Sequence, residues 1–470
     1  MTLAQHEARI AHDLECLGIG GTSCTSPQVR DNQHVYDVVI VGAGQSGLGA
    51  AFGLMRERLS NILVLDENPA GYEGPWETYA RMMTLRTPKH LTSIDYGIPS
   101  LTFRAYWEAI HGPAGWEEID KIPRREWMAY LRWYRRILGL PVRNDSKVVL
   151  VDPVEPGIFR LKLADGGDVL TRKVVLATGI QGGGQWQVPA IVSDVPRDRY
   201  AHTSAAIDFA ALRGKRIAIL GGGASAFDNA QHALSEGVAE VHVFVRRKEL
   251  PSVNPIRFME AKGIIPRFPA LPDDVKYVMM KSFFERNQPP TNDTFSRAAS
   301  HPGFRLHLGS PWLSVMEQDD GIAVTTPQGT EAYDFLILST GLVTDPSLRP
   351  ELRLVAHRIA RWEERFAGTL ERDPLLDAHP YLGSGFELLP RTEEDASALH
   401  GLFAFNYSGL INFGLSASAI SGLKHALPRL VQGIADQLFL DDRASIVSDY
   451  LGYAEPEFTS TWNLDQGQAA

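Results

Sequence analysis

Two stretches of the chain carry glycines at a spacing that does chemistry. In "VVIVGAGQSG", Gly42, Gly44 and Gly47 stand as G-x-G-x-x-G after an apolar run from 36 to 41. The first glycine permits a tight turn, and the second lets the backbone approach a pyrophosphate. The third lets the following helix pack close to the strand, with its N-terminus toward the phosphate charge. A second apolar run, 62–65, ends on Asp66, 24 residues after Gly42, where a carboxylate can accept ribose hydroxyls. In "IAILGGGASA", Gly221, Gly223 and Ala226 repeat the pattern as G-x-G-x-x-A, and the next apolar run, 240–245, ends on Arg246, Arg247 and Lys248. An acid there would repel a 2′-phosphate, whereas guanidinium groups bind one through charge-assisted hydrogen bonds. The second site is therefore expected to take NADPH, with a solvated basic strand end as the plainer alternative.

The elements around these loops repeat on a larger scale. Each nucleotide unit is followed by short strands and then by a small-residue turn, Ala177-Thr178-Gly179 in the first copy and Ser339-Thr340-Gly341 in the second. Thr178 is thereby expected beside the first nucleotide. The pattern predicts an α/β fold with two Rossmann-like dinucleotide-binding domains in a glutathione-reductase-like architecture. The expected organisation is an N-terminal arm (1–35), a first domain part (36–195), a second nucleotide domain (196–330) with a helical or looped insertion at 250–305, the rest of the first domain with a closing segment (331–454), and a polar tail (455–470).

Composition bounds the function. The chain has 470 residues, 44% apolar and 22% charged, with a formal net charge of −10. That balance argues against a general nucleic-acid binder, and no run is long and apolar enough for a membrane span. The expected setting is the cytoplasm, with a small-molecule substrate, no nucleic acid, no membrane, and a homo-oligomer left open. Cys16 and Cys24 are too few for a disulfide framework and lie outside both nucleotide units, which excludes a redox cysteine pair beside the cofactor. No cluster shows metal-ligand spacing along the chain, so no metal is expected.

Two dinucleotide sites imply an electron relay, and the chain from 36 to 450 resembles the two-dinucleotide-binding flavoproteins, FAD first and NADPH second. Within that group it resembles class B flavin monooxygenases, whose loop after the second FAD strand is matched loosely by Gly74, Pro75 and Trp76 in "GYEGPWETY". Trp76 is a plausible stacking platform for a flavin ring. "TLRTP" (84–88) and "IPRREWMAYLRWYRR" (122–136) are similar to motifs of the N-hydroxylating ornithine and lysine hydroxylases. In the second of these, Trp127, Tyr130, Leu131 and Tyr134 fall at helical spacing and read as packing. The flavin-containing monooxygenase signature is lost around "PRDRYAHTSAA", where His202 alone survives.

The resemblance implies an NADPH- and FAD-dependent monooxygenase working through a flavin C4a-hydroperoxide, with O2 as co-substrate, most nearly N-hydroxylating a small amine or amino acid. The substrate lysine of the ornithine enzymes falls at Ala80 here. Arg81, Arg86 and Lys89 could instead hold the carboxylates of an acidic amino acid, aspartate as in the nitrosuccinate-forming hydroxylases being one candidate. Asn254 in "SVNPIRF" and Asn406 in the closing segment are the other expected substrate residues; Asn412 and Ser416 are polar groups in the same apolar context. No nucleophile or acid–base pair is singled out as catalytic. The alternatives are oxygenation at sulfur or of a ketone, and an electron-transfer reductase serving a partner.

Overall fold

The computed structural model describes residues 2–458 except 22, 320, 369, 370 and 418; the expected tail lies outside them from 459 onward. The α/β fold read from the sequence is the one observed, built on one mixed and one parallel sheet. The first sheet runs in the order Val142–Arg143, Ile62–Leu65, Gln33–Val41, Asp168–Leu176, Ile158–Leu163, Val148–Glu155. Its central strand, Asp168–Leu176, pairs parallel with Gln33–Val41 and antiparallel with Ile158–Leu163. Near its end, Val174 and Val175 pair with Leu402 and Phe403, so the closing segment returns to the strand that bears Thr178. The strand is buried along nearly all its length, as a strand covered on both faces must be.

The second sheet is fully parallel, in the order Phe304–Leu308, Glu240–Val245, Arg216–Leu220, Phe335–Leu338, Tyr200–His202. An antiparallel meander, Ser314–Gln318, Gly321–Thr326 and Gly329–Tyr333, lies against it. The segment 250–305 forms four helices, Pro255–Ala261, Ile264–Arg267, Asp273–Arg286 and Asn292–Ala299, before rejoining the sheet. They pack through Phe268, Tyr277 and Met280 onto Trp362, Phe366 and Leu410, which ties this segment to the closing one.

The helix Arg124–Ile137 buries Trp127, Tyr130, Leu131 and Tyr134, the stripe its spacing predicts. The phenols of Tyr130 and Tyr134 donate to the carbonyls of Leu101 and Ile94 at 2.7 and 2.8 Å, and the Trp127 indole donates to the side chain of Gln45 at 3.0 Å. The stripe thus braces the first residue of the helix Gln45–Arg56. Two arginines of its last turn are ion-paired: Arg135 meets Glu73 at 2.7 Å, and Arg136 meets Glu7.

Chain passes between the two sheets where Gly184–Trp186 pairs with Leu342–Thr344. Here Trp186 stacks on His202, ring centroids 4.8 Å apart and 18° from coplanar. His202 is buried; its Nδ1 accepts from the backbone of Ser204 at 3.2 Å, and its Nε2 has no hydrogen-bond partner. Burial pushes this imidazole from 6.5 down to about 4. A group whose folded pKa is depressed in this way gives full stability above 6.5 and loses it as pH falls toward 4, because only the unfolded chain takes up the proton in that window. His202→Phe, which keeps the stack, is expected to remove about 3 kcal/mol of acid-linked destabilisation, the worth of that shift. Urea unfolding of both proteins from neutral pH down to about 4 checks this, and parallel pH profiles would refute it.

Candidate functional site

The first glycine loop is held by contacts that only glycine allows. Gly42 has φ +105°, and a Cβ there would stand 2.5 Å from the Ala177 carbonyl oxygen at the end of the central strand. Gly44 then begins the helix Gln45–Arg56 with no side-chain cap, leaving the first backbone N–H groups turned outward. Asp66 is buried beside the loop. It accepts from Ala43 N at 2.7 Å and from the backbone and side chain of Asn68 at 2.8 and 3.0 Å, while burial pushes its carboxyl up.

A cavity of about 1140 Å³ opens from this loop. It runs from Gly42, Gly44 and Asp66 past Trp76 and Thr178 to Asn254, Arg257, Glu260 and Gln288. Trp76 is buried, and its indole N–H has no acceptor among the described residues. Tyr79 shares the lining, and desolvation pushes its phenol up to about 12, so it stays protonated across the neutral range.

The second cradle mirrors the first. Gly221 has φ +129° and abuts the Ser339 carbonyl, as Gly42 abuts that of Ala177. Ala226 is buried within the helix Ala224–Ser235. A smaller cavity of about 340 Å³ lies here, lined by Gly221, Arg246, Arg247, Asn287 and Thr340. Arg247 already donates to the Glu285 carbonyl at 2.6 Å, and Arg246 is exposed at the mouth. Lys248 is not in the lining; its stem packs near Gly309.

The cations expected to hold substrate separate. Arg86 lines the large cavity but is paired with Asp228, a buried carboxylate on the second nucleotide helix. Arg81 and Lys89 do not line it. Arg81 donates to the carbonyls of Thr78 and Ala205 at 2.8 and 3.3 Å and lies over the Phe209 ring. Lys89 donates to the carbonyls of Trp116 and Ile119, both at 2.7 Å. The carbonyls take both Nη groups of Arg81, while its buried Nε has no partner among the described residues.

Asn254 lines the cavity and caps the helix Pro255–Ala261, its Oδ1 accepting from Ile256 N at 3.1 Å. Asn406 is tied inward rather than lining the cavity. Its Nδ2 donates to Thr178 Oγ1 at 3.1 Å and to the Gly182 carbonyl at 3.3 Å, and its Oδ1 accepts from Ser408. It thereby fastens the closing segment to the turn that faces the cavity. Asn412 is also satisfied within the chain, by Trp362 and the Leu382 carbonyl, whereas buried Ser416 Oγ has no partner among the described residues.

Sequence reasoning missed Arg257 and Glu260. They sit one turn apart on a two-turn helix, paired at 3.1 Å, with Arg257 also donating to the Arg86 carbonyl at 2.7 Å. An Arg/Glu pair at i, i+3 was the available signal, but it is common on any exposed helix.

A family model described as pyridine nucleotide-disulphide oxidoreductase matches residues 39–259, which include both glycine loops. L-lysine 6-monooxygenase from Pseudomonas syringae shares the fold at TM-score 0.67 and 18% identity, over 86% of this chain and 99% of that one. Ornithine hydroxylase from Pseudomonas aeruginosa does so at TM-score 0.66 and 18% identity, over 86% and 100%. A far nearer relative is the FAD-dependent urate hydroxylase of Xanthomonas campestris pv. campestris, 64% identical over 465 residues, or 98% of each chain. With that identity running almost end to end, the chain belongs to the family of that hydroxylase, a family of flavin-dependent oxidoreductases.

Proposed function

We propose that this chain is an FAD- and NADPH-dependent monooxygenase that hydroxylates urate or a closely related oxidised purine. The observation that carries the reading is the 64% identity over 98% of both chains with a urate hydroxylase. The residues present fit an FAD: the cradle is bare of side chains at Gly42 and Gly44, and the buried Trp76 N–H lacks an acceptor among the described residues. Gly42, Gly44 and the uncapped helix start would hold its pyrophosphate, Asp66 its ribose, and Trp76 and Thr178 its ring. Gly221, Gly223, Ala226 and Arg246 would hold NADPH, with Arg246 on the 2′-phosphate. When bound, the flavin, reduced by NADPH, activates dioxygen so that one oxygen atom enters the substrate and the other leaves as water.

The chain's own work is then to bind, orient and exclude water. Trp76, Leu85 and Ile420 give the cavity an apolar wall, and Asn254, Arg257, Glu260 and Gln288 give one end of it donors and acceptors. A planar purine with hydrogen-bonding groups around its edge suits that combination. A dicarboxylate amino acid suits it less, because Arg81 and Lys89 are engaged elsewhere and Arg86 is neutralised by Asp228. Amine N-hydroxylation keeps the support of the "TLRTP" and "PRREWMAYLRW" resemblances.

Flavin-loaded enzyme under air is expected to consume NADPH faster with urate and to deplete the urate in step. Ornithine, lysine and aspartate are expected to do neither. Amino-acid-stimulated turnover with hydroxylamine product, and no response to urate, would replace the reading with N-hydroxylation. In a second test, Arg246→Ala is expected to raise KM for NADPH by roughly tenfold or more, the worth of one charged hydrogen bond, and to leave KM for NADH nearly unchanged. Equal effects on the two cofactors would remove Arg246 from 2′-phosphate recognition.

A further inference from the structure

One polar cluster lies outside both cradles, where the edge of the second sheet meets the edge of the meander. His242 sits on Glu240–Val245, His307 on Phe304–Leu308, and Glu331 and Tyr333 on Gly329–Tyr333. Parallel pairing sets His242 opposite Arg305 and Phe244 opposite His307, so the two imidazoles share one face of the sheet. Glu331 and Tyr333, two residues apart, project together from their own strand toward them.

His242 Nδ1 lies 3.1 Å from His307 Nε2, 2.9 Å from Tyr333 Oη and 3.7 Å from Glu331 Oε2. A single ring nitrogen donates one proton or accepts through one lone pair, so it cannot fully satisfy both His307 and Tyr333, the two neighbours within hydrogen-bond distance. One ligand atom from each of His242, His307 and Glu331 lies within 4.8 Å of the others. A tetrahedral Zn²⁺ with ligand bonds of about 2.0–2.1 Å spaces its ligand atoms about 3.4 Å apart, and the contacts of 3.1 and 3.7 Å straddle that spacing.

Arg216 meets Glu240 at 2.7 Å and Glu331 at 3.3 Å, and His242 Nε2 lies 3.5 Å from Glu240. Two carboxylates thus lie beside the two imidazoles, with Arg216 and Arg305, the latter opposite His242 on the neighbouring strand, as the nearby cations.

We propose that His242, His307 and Glu331 form a binding site for a single Zn²⁺ ion that ties the edge strand of the meander to the edge of the second nucleotide sheet. Imidazole with carboxylate selects a late first-row ion over Mg²⁺ or Ca²⁺, which prefer all-oxygen shells. Tyr333 Oη or a water would complete the coordination. The His307 ring also stacks on Phe244, centroids 4.4 Å apart and 8° from coplanar, and Phe244 lines the smaller cavity. The ion would therefore stand one ring away from the second cradle.

The test uses the full flavin-loaded chain, free of any histidine tag and stripped with a chelator, titrated with Zn²⁺ against a chromogenic competitor. One equivalent is expected to bind and to raise the melting temperature, while Mg²⁺ does neither. Loss of even an outer partner of a metal ligand costs about 10–100-fold in affinity. His307→Ala and Glu331→Gln are therefore each expected to weaken Zn²⁺ by at least about tenfold with FAD content unchanged. Glu331 is largely exposed, so its variant keeps the test sound if the histidine variant fails to fold. Substoichiometric binding by the unaltered protein, or wild-type affinity in Glu331→Gln, would overturn the proposal.

Discussion

The molecule is organised around one contact made twice. The first glycine of each loop lies so close to a carbonyl at the end of a neighbouring strand that no side chain fits between them: Gly42 against Ala177, Gly221 against Ser339. Both glycines take φ values near +100° or beyond, which L side chains rarely adopt. The contact fixes where the loop lies, and the loop fixes where the following helix begins. It also brings the Thr-Gly turn after each strand to the rim of a cavity, where Thr178 holds Asn406 and Thr340 donates to the Gln187 carbonyl. A shift of the central strand by one residue would displace the cradle, the rim and the closing segment together.

The same constraint leaves the two sites free to differ where the backbone does not matter. At the end of the neighbouring strand, one copy has a buried carboxylate that is part of the loop's hydrogen bonding, and the other has exposed arginines. The two copies are then locked to each other by polar groups. Arg86 reaches Asp228, Lys121 reaches Asp293 at 3.0 Å, and Arg81 reaches the Ala205 carbonyl. A buried ion pair such as Arg86–Asp228 adds little net stability, because desolvation offsets the attraction, but a mismatched arrangement would leave a charge buried and unpaired. Its effect is to select one relation between the cradles.

What could be read along the chain was whatever is decided within a few residues. The glycine loops, the strand–helix–strand units and the aromatic stripe of 124–137 are local, and the structure has them. The fate of a cation is not local. Lys89 is engaged by carbonyls at 116 and 119, Arg81 by one at 205 and Arg86 by a carboxylate at 228. Each has the residue type of a substrate ligand, and only the tertiary contact shows whether its donors are free. The His242–His307–Glu331 cluster escaped for the same reason: its members are far apart in the chain and meet only through strand pairing.

This division also accounts for the substrate class that the motifs suggested. The residues of "TLRTP" and "IPRREWMAYLRWYRR" act here on the scaffold: Trp127 braces the start of the first helix, Tyr130 and Tyr134 bolt their helix to backbone carbonyls, and Arg86 joins the two nucleotide units. In this chain such motifs serve to build and align the cofactor cradle rather than to line the polar end of the cavity. The polar end of the large cavity is supplied from elsewhere, by the helix Pro255–Ala261 with Asn254 at its cap. That helix is itself tied to the join between the two units, because Arg257 donates to the carbonyl of Arg86, whose side chain meets Asp228. The residues at the polar end of the cavity and those that align the cradles are therefore coupled through one short segment, 254–260, which lies far along the chain from the motifs that reveal the kinship.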